Sequence, residues 1–222
     1  MDKFSKYFDH TQLKPEATPQ DVLKLLSEAV TFDTAAVCVN GSHVRSARRF
    51  IDATGADVKV AAVAGFPLGA MATNAKAYEV QLALEDGADE IDLVMNIGQA
   101  KAGNWAYVED EVYTIAEMCH ESGAILKLII ETCLLTDAEI LQACKSARAA
   151  GADFVKTSTG FSSGGATAED VALMKQTVGD DLQVKASGGI RTLDDALAMI
   201  KAGADRLGCS ATAAILEEYA KK

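Results

Sequence analysis

At residues 151–160 the chain reads Gly151-Ala-Asp-Phe-Val-Lys156-Thr-Ser-Thr-Gly160, a turn, a short apolar run and a second turn rich in Ser, Thr and Gly. The opening Gly-Ala-Asp occurs four times, at 55–57, 87–89, 151–153 and 203–205. Each copy follows a stretch with apolar residues at helical spacing and precedes an apolar run. The glycine therefore ends a helix, and a short turn enters the next strand. Strands that alternate with helices are typical of a parallel sheet.

The same alternation runs through the whole chain. Helical patterns cover 19–32, 74–86, 137–150 and 193–202, and two of them begin with typical capping sequences, Thr18-Pro19 and Thr136-Asp-Ala-Glu139. Eight candidate strands begin near Tyr7, Ala35, Val58, Glu90, Ile125, Phe154, Leu182 and Arg206. This count predicts an α/β fold, a single (β/α)8 TIM barrel. No low-complexity linker marks a boundary, so we expect one barrel domain over residues 1–222; an open, doubly wound sheet is the alternative.

Composition excludes several classes of protein. With 49% hydrophobic and 24% charged residues the chain can bury a full core. A net charge of −11 argues against nucleic-acid binding, because neutralising phosphates requires clustered Lys and Arg. Five cysteines without a Cys-x-x-Cys pair indicate free thiols in a reducing compartment. With no secretory signal pattern and no apolar run of about 18 residues, we expect a cytoplasmic protein with no membrane partner.

Ionisable residues interrupt four neighbouring apolar runs. Lys156 and Lys185 lie near the ends of candidate strands six and seven, and Asp92 and Lys127 lie within strands four and five. Side-chain alternation places each of them on a face that can point into the barrel. Two lysines in one pocket lower each other's pKa, and a neutral amine can attack an aldehyde to form a Schiff base. A carboxylate beside it can move protons.

A structural explanation of these residues also exists. A lone strand lysine is most often a snorkelling or edge residue, and an Asp–Lys pair can be a structural ion pair. Four such residues in adjacent apolar strands favour a functional cluster, since unpaired buried charge is costly. The three histidines are scattered, with no metal-ligand spacing, so no metal site is predicted.

Turns suited to a phosphate follow the last three strands. Ser187-Gly-Gly-Ile-Arg191 offers bare backbone amides and a guanidinium at a helix start, and Gly208-Cys-Ser210 and Ser158-Thr-Gly160 are similar turns. Phosphate commonly binds at the loops after strands seven and eight of such a barrel. Together with the lysines, these turns predict an amine nucleophile beside a phosphate site.

The chain resembles the deoxyribose-phosphate aldolase family through separated motifs in the expected order. They are Phe8-Asp-His-Thr-Gln-Leu-Lys-Pro15, Val37-Cys-Val-Asn40, Gly65-Phe-Pro-Leu-Gly69, Glu90-Ile-Asp-Leu-Val-Met-Asn96, Val155-Lys-Thr-Ser-Thr-Gly-Phe161 and Val184-Lys-Ala-Ser-Gly-Gly-Ile-Arg191. The resemblance implies a metal-free class I aldolase that needs no cofactor. Its reaction would be reversible cleavage of 2-deoxy-D-ribose 5-phosphate into D-glyceraldehyde 3-phosphate and acetaldehyde. The family commonly forms homodimers.

The resemblance also implies roles for individual residues. Lys156 would form the Schiff base, Lys185 would perturb it and move protons, and Asp92 would be the acid/base carboxylate. The implied substrate and phosphate positions are Gly160, Gly188, Gly189, Arg191, Gly208, Ser210, Lys127, Thr11 and Asp9. Lys127 also matches a lysine of the family's inner charge network. Gln12 and Cys209 depart from the family pattern without removing a catalytic group. The alternatives are another phosphosugar barrel enzyme, either an isomerase or a different class I aldolase, and a non-catalytic phosphate-binding barrel.

Overall fold

Parallel strands close into a barrel in the computed structural model, which describes residues 4–221. Within these residues the strands pair in chain order, and the first pairs with the last. They are β1 (Phe8–Gln12), β2 (Ala36–Val39), β3 (Lys59–Ala64), β4 (Glu90–Val94), β5 (Ile125–Ile129), β6 (Phe154–Lys156), β7 (Gln183–Ser187) and β8 (Arg206–Cys209). Each begins within one residue of its predicted start. The closure confirms the (β/α)8 barrel and excludes the open sheet.

Helices connect the strands and cover the outside of the barrel. They are α1 (Pro19–Phe32), α2 (Val44–Thr54), α3 (Thr73–Glu85), α4 (Ile97–Lys101), α5 (Trp105–Glu121), α6 (Asp137–Ala149), α7 (Ala168–Val178), α8 (Leu193–Lys201) and α9 (Thr212–Tyr219). The four predicted helices agree with α1, α3, α6 and α8 to within one residue at each end. Across the described part of the chain, no helix combines the length and apolar character needed to span a membrane.

The Gly-Ala-Asp repeat ties the amino-terminal ends of the strands together. In three copies the aspartate accepts a hydrogen bond of 2.8 Å from a backbone amide near the start of the preceding strand. The pairs are Asp89 with Val60, Asp153 with Leu126, and Asp205 with Val184. Each aspartate also pairs with a basic side chain of a covering helix: Arg48, His120 and Lys175 respectively. We call these three arrangements the rim clamps.

Two of the three clamp glycines are needed both for their backbone conformation and for their packing, whereas Gly151, with φ of +79°, has open space where a Cβ would lie. Gly203 has φ of +109° and Gly87 has φ of +96°, a region that side chains with a Cβ rarely adopt. A Cβ on Gly203 would lie 2.8 Å from Cγ of Lys175, and one on Gly87 would lie 2.7 Å from Cγ of Arg48. The first copy of the repeat departs from this arrangement, because Asp57 is exposed and pairs with Lys59.

The barrel interior has an apolar side and a charged side. Leu13, Ala36, Cys38, Ala61 and Val63 form a small apolar cluster on the inner faces of β2 and β3 and at the end of β1. On β4, Ile91 and Leu93 join the main core while Asp92 points inward. The inner faces of β4 to β8 carry most of the buried charge, so the chemistry is concentrated in one half of the barrel.

Candidate active site

Asp92 lies at the centre of the buried charges. Its Oδ1 accepts a hydrogen bond from Lys127 Nζ at 2.9 Å, and its Oδ2 accepts from both Lys156 Nζ and Lys185 Nζ at 2.7 Å. The strand register explains the grouping, since Asp92 is level with Lys127 on β5 and Lys156 is level with Lys185 on β7. The alternation of side chains in the sequence predicted this cluster, and the structure confirms it.

Three further residues complete the network. Asp9 accepts hydrogen bonds from Lys185 and, at 2.5 Å, from Arg206 Nη1. Glu90 accepts from Lys127 Nζ at 2.5 Å and from Arg206 Nη2 at 3.3 Å. The network therefore holds three carboxylates and four basic side chains, all of them largely buried. If one basic residue is neutral, the positive and negative charges balance.

The surroundings of the two facing lysines differ. Burial lowers the pKa of Lys156, the cation of Lys185 lowers it further, and the attraction of Asp92 only partly opposes them, so the pKa lies below the ordinary lysine value. Burial also disfavours the charged form of Lys185, but Asp9 and Asp92 outweigh it and raise its pKa above the ordinary value. Of the two lysines, Lys156 therefore loses its proton more easily than Lys185.

Asp92 is held in its ionised form. Burial alone would raise the pKa of this carboxyl, yet Lys127, Lys156 and Lys185 together hold it well below its usual range. The neighbouring Cys38 thiol lies 3.9 Å from Asp92 Oδ2, and burial, reinforced by that carboxylate, raises its pKa to about 11. Beside Lys156 there is thus an anionic oxygen and a protonated thiol.

A cavity of about 430 Å³ opens above Lys156 at the carboxyl ends of the strands. Its lining includes seven of the predicted substrate residues: Thr11, Gly160, Gly188, Gly189, Arg191, Gly208 and Ser210. Gln12 and Cys209, the two departures from the family pattern, also line it, and so does the cationic side chain of Lys14. The cavity joins the amine to the turns after β6, β7 and β8.

Two residues predicted to contact substrate lie elsewhere. Lys127 and Asp9 are fully buried below the cavity and are not among its lining residues. Lys127 bonds Glu90 and Asp92, while Asp9 bonds Lys185 and Arg206, so their charges are already compensated inside the barrel. Both residues are therefore members of the charge network, as the resemblance implies for Lys127, and neither borders the cavity.

The turn after β7 differs from prediction in one respect. The backbone amide of Arg191, expected to be bare, donates to Asp195 Oδ2 at 3.0 Å. The amide of Thr192 donates to the same oxygen at 3.0 Å, and the Thr192 side chain caps α8 in return. The anion-binding potential of this loop therefore lies earlier, at Gly188 and Gly189, whose φ values are +81° and +82°. Consecutive residues with positive φ turn their backbone amides out of a regular ladder.

The end of β4 is held from outside the barrel by a buried ion pair that sequence reasoning missed. Lys76 on α3 donates to the carbonyl of Val94 at 2.8 Å and to Glu111 on α5 at 2.9 Å. Glu111 in turn accepts from the amide of Asn96 at 3.1 Å. Both charged side chains are fully buried. Lys76 lies in an ordinary helical pattern, so nothing in the sequence distinguishes it. Glu90 and Arg206 were also missed as members of the charge network, although their positions on the inward faces of β4 and β8 could have indicated them.

Comparison with known proteins gives a consistent result. The model of a family described as DeoC/LacD family aldolase matches residues 4–217. A deoxyribose-phosphate aldolase of Thermococcus gammatolerans is 54% identical over 213 residues, covering 96% of this chain and 95% of that protein. One of Streptococcus gordonii is 55% identical over 215 residues, covering 97% and 96%.

Solved structures agree with these matches. A structure described as "QR15, an Aldolase" superposes with a TM-score of 0.93 at 40% identity, covering 100% of this chain and 97% of that one. A deoxyribose-phosphate aldolase from Aeropyrum pernix, described as a unique tetrameric structure, gives a TM-score of 0.90 at 33% identity, covering 98% and 91%.

Proposed function

The chain belongs to the DeoC/LacD family of aldolases, and from that premise we propose how its buried network carries out the reaction. The enzyme is a lyase that reversibly cleaves 2-deoxy-D-ribose 5-phosphate into D-glyceraldehyde 3-phosphate and acetaldehyde. Lys156 is the nucleophile. One observation carries this assignment: Lys156 is the basic residue of the network that lines the cavity, and its pKa is lowered while that of its neighbour Lys185 is raised.

The reaction begins with the neutral amine of Lys156. It attacks C1 of the open-chain aldehyde, and loss of water gives an iminium ion. Asp92, through a water molecule, removes the proton of the C3 hydroxyl, the C2–C3 bond breaks, and its electron pair passes through the C1–C2 bond to the iminium nitrogen. D-glyceraldehyde 3-phosphate leaves. The remaining enamine is protonated at C2, with Lys185 and Asp92 moving the proton, and hydrolysis releases acetaldehyde.

The charge balance of the network supports this sequence. With Lys156 neutral, Asp9, Glu90 and Asp92 are matched by Lys127, Lys185 and Arg206. Formation of the iminium ion adds one positive charge at Nζ, 2.7 Å from Asp92 Oδ2 in the unreacted site. A carboxylate already in place stabilises a developing cation without reorganisation of the site.

The phosphate end of the substrate is assigned to the cavity rim. The backbone of Gly188, Gly189 and Gly208, the Ser210 hydroxyl and the Arg191 guanidinium are the proposed contacts, with Gly160 and Thr11 bordering the sugar. A Cβ at Gly208 would lie 2.9 Å from Cβ of Ser187 and 3.1 Å from Cε of Lys185, so this position has room only for glycine beside the network.

Three broader assignments belong to this proposal. Residues 1–222 act as one catalytic domain, supported by a barrel built from strands between Phe8 and Cys209. The enzyme works in a reducing compartment, the cytoplasm, supported by its five free thiols. It assembles as a homodimer, supported by exposed apolar side chains on and before α3, among them Leu68, Tyr78 and Leu82.

Trapping of the Schiff base tests the function. Borohydride added with acetaldehyde should leave a two-carbon unit on Lys156, located by peptide mass spectrometry. The buried Lys76 and Lys127 serve as internal controls and should stay unmodified, because neither lines the cavity. An unlabelled Lys156 in folded protein that retains cleavage activity would refute the mechanism.

A further inference from the structure

Glu131 has a backbone conformation that its residue type disfavours. It follows β5 with φ of +56°, and its side chain is almost completely buried, with the residue 1% exposed. Residues with a Cβ avoid this region for steric reasons. The other described non-glycine residue with positive φ is Asp33, which ends α1, a common place for this conformation. Strain of this kind persists where the surrounding structure makes use of it.

The buried carboxylate of Glu131 is directed mainly at the loop after β6, and its Oε1 also accepts a weak hydrogen bond from the Cys133 thiol at 3.9 Å. The amide of Thr159 donates to Oε1 at 3.2 Å and to Oε2 at 3.3 Å, and the Thr159 hydroxyl donates to Oε2 at 2.5 Å. That hydroxyl accepts from the amide of Phe161 at 3.0 Å. The Glu131 side chain therefore holds Thr159 directly and Phe161 through the Thr159 hydroxyl, and residues 159–161 all line the cavity.

The loop after β6, which contains this segment and continues to Ala166, packs against the glycine turn after β7. The amide of Ala166 donates to the carbonyls of Ser187 and Gly188, each at 3.0 Å. A Cβ on Gly165 would lie 2.3 Å from Gly188 O, and one on Gly188 would lie 3.5 Å from Cα of Gly160. The two loops meet backbone to backbone, so a shift of one loop moves the other.

We propose that Glu131 is a positioning residue that sets the phosphate-binding half of the cavity, by holding Thr159–Phe161 against Gly188–Gly189. The proposal rests on the proposed function and deepens it, because it assigns the control of phosphate recognition to a residue that touches no substrate. Lys156 ends β6 and is anchored separately by Asp92. Loss of the Glu131 carboxylate should therefore affect binding of the phosphate more than the chemistry at the amine.

The test is Glu131→Met, which keeps the side-chain length and removes both acceptors. For 2-deoxy-D-ribose 5-phosphate, KM should rise about tenfold or more while kcat stays within about twofold of the wild type. The reason is that the buried amide of Thr159 loses its partner, so the loop after β6 is no longer held against the phosphate-binding turn. For unphosphorylated 2-deoxy-D-ribose, kcat/KM should change less than about twofold. Glu131→Gln, which retains one acceptor, should recover part of the loss. Asp33→Met, the matched change at the other positive φ, should leave both substrates unaffected.

A second readout separates this proposal from the function itself. Inorganic phosphate, titrated by calorimetry, should bind the Glu131→Met variant about tenfold more weakly than the wild type, whatever reaction the enzyme performs. An equal fall in kcat/KM for both substrates, unchanged phosphate affinity, or loss of folding in both Glu131 variants would overturn the positioning role. A wild type that fails the Lys156 trapping assay yet shows the expected difference in phosphate affinity would count only against the proposed function.

Discussion

Replacing Lys185 by methionine tests how the site keeps Lys156 neutral. The substitution removes one cation, fills the space of the lysine stem and leaves the hydrogen bond between Lys156 and Asp92 in place. Because Lys185 lowers the pKa of Lys156, its removal raises that pKa. The amine must be neutral to attack, so activity at a given pH falls.

The magnitude follows from the distances. Lys156 and Lys185 bond the same oxygen of Asp92, each at 2.7 Å, so their nitrogens are at most about 5.4 Å apart. Two unit charges at that separation repel by about 3 kcal/mol at an effective dielectric constant of about 20. At about 1.4 kcal/mol for each factor of ten, this repulsion corresponds to a change of about a hundredfold in the deprotonation equilibrium of Lys156. We expect kcat/KM to fall at least as much.

The assay is the pH dependence of kcat/KM together with that of borohydride trapping. In the methionine variant the acidic limbs of both pH profiles, that of kcat/KM and that of trapping, should move to higher pH. Activity should recover partly in alkaline buffer. Lys185→Arg is the matched control, since it keeps the positive charge but a guanidinium does not give up a proton to the reacting groups. Its acidic limb should remain in place while kcat falls. A methionine variant with an unshifted limb would show that Lys185 does not set the protonation of Lys156, and the electrostatic argument would fail.

Two further outcomes concern stability. Asp9 and Asp92 have pKa values below the ordinary aspartate value of 3.8. The stability that these two carboxylates contribute is therefore complete above that pH and is lost as the pH falls below it. The free energy of unfolding, measured in urea, should drop steeply between pH 4 and pH 2, and a flat profile would contradict the ion-pair assignment. Gly203→Ala should destabilise the protein by about 1–3 kcal/mol more than Gly103→Ala. Both glycines have positive φ, but only at Gly203 would the new Cβ lie against Lys175. Equal thermal unfolding temperatures for the two variants would contradict this steric explanation.

The architecture could be predicted because its signals are local. A helix that ends at a glycine, followed by a two-residue turn and an apolar run, identifies four of the eight units without reference to the rest of the chain. The grouping of Asp92 with the three lysines followed from the alternation of side chains and from the order of strands in a barrel. The family resemblance then distinguished Lys156 from Lys185, which the spacing alone left equivalent.

The remaining features depend on contacts that no local pattern records. Asp195 occupies the amides of Arg191 and Thr192, so part of the expected anion site is already filled by the chain itself. Lys127 lies in a strand with the same appearance as that of Lys156, but the depth at which it enters the barrel separates it from the cavity. The strained Glu131 has no sequence signature, because a positive φ becomes visible only with the backbone.

The large sequence separation between Asp9 and its hydrogen-bond partners has a consequence for the order of folding. The rim clamps join residues separated by 21 to 29 positions, and such short loops close at low entropic cost. Asp9 instead meets Lys185 and Arg206 across 176 and 197 positions. Contacts of that range close much longer loops at a higher cost in chain entropy, so we expect them to form after the rim clamps. The charge network therefore also joins the first strand of the barrel to the last two. A chain in which β1 has not yet paired with β8 has no assembled active site.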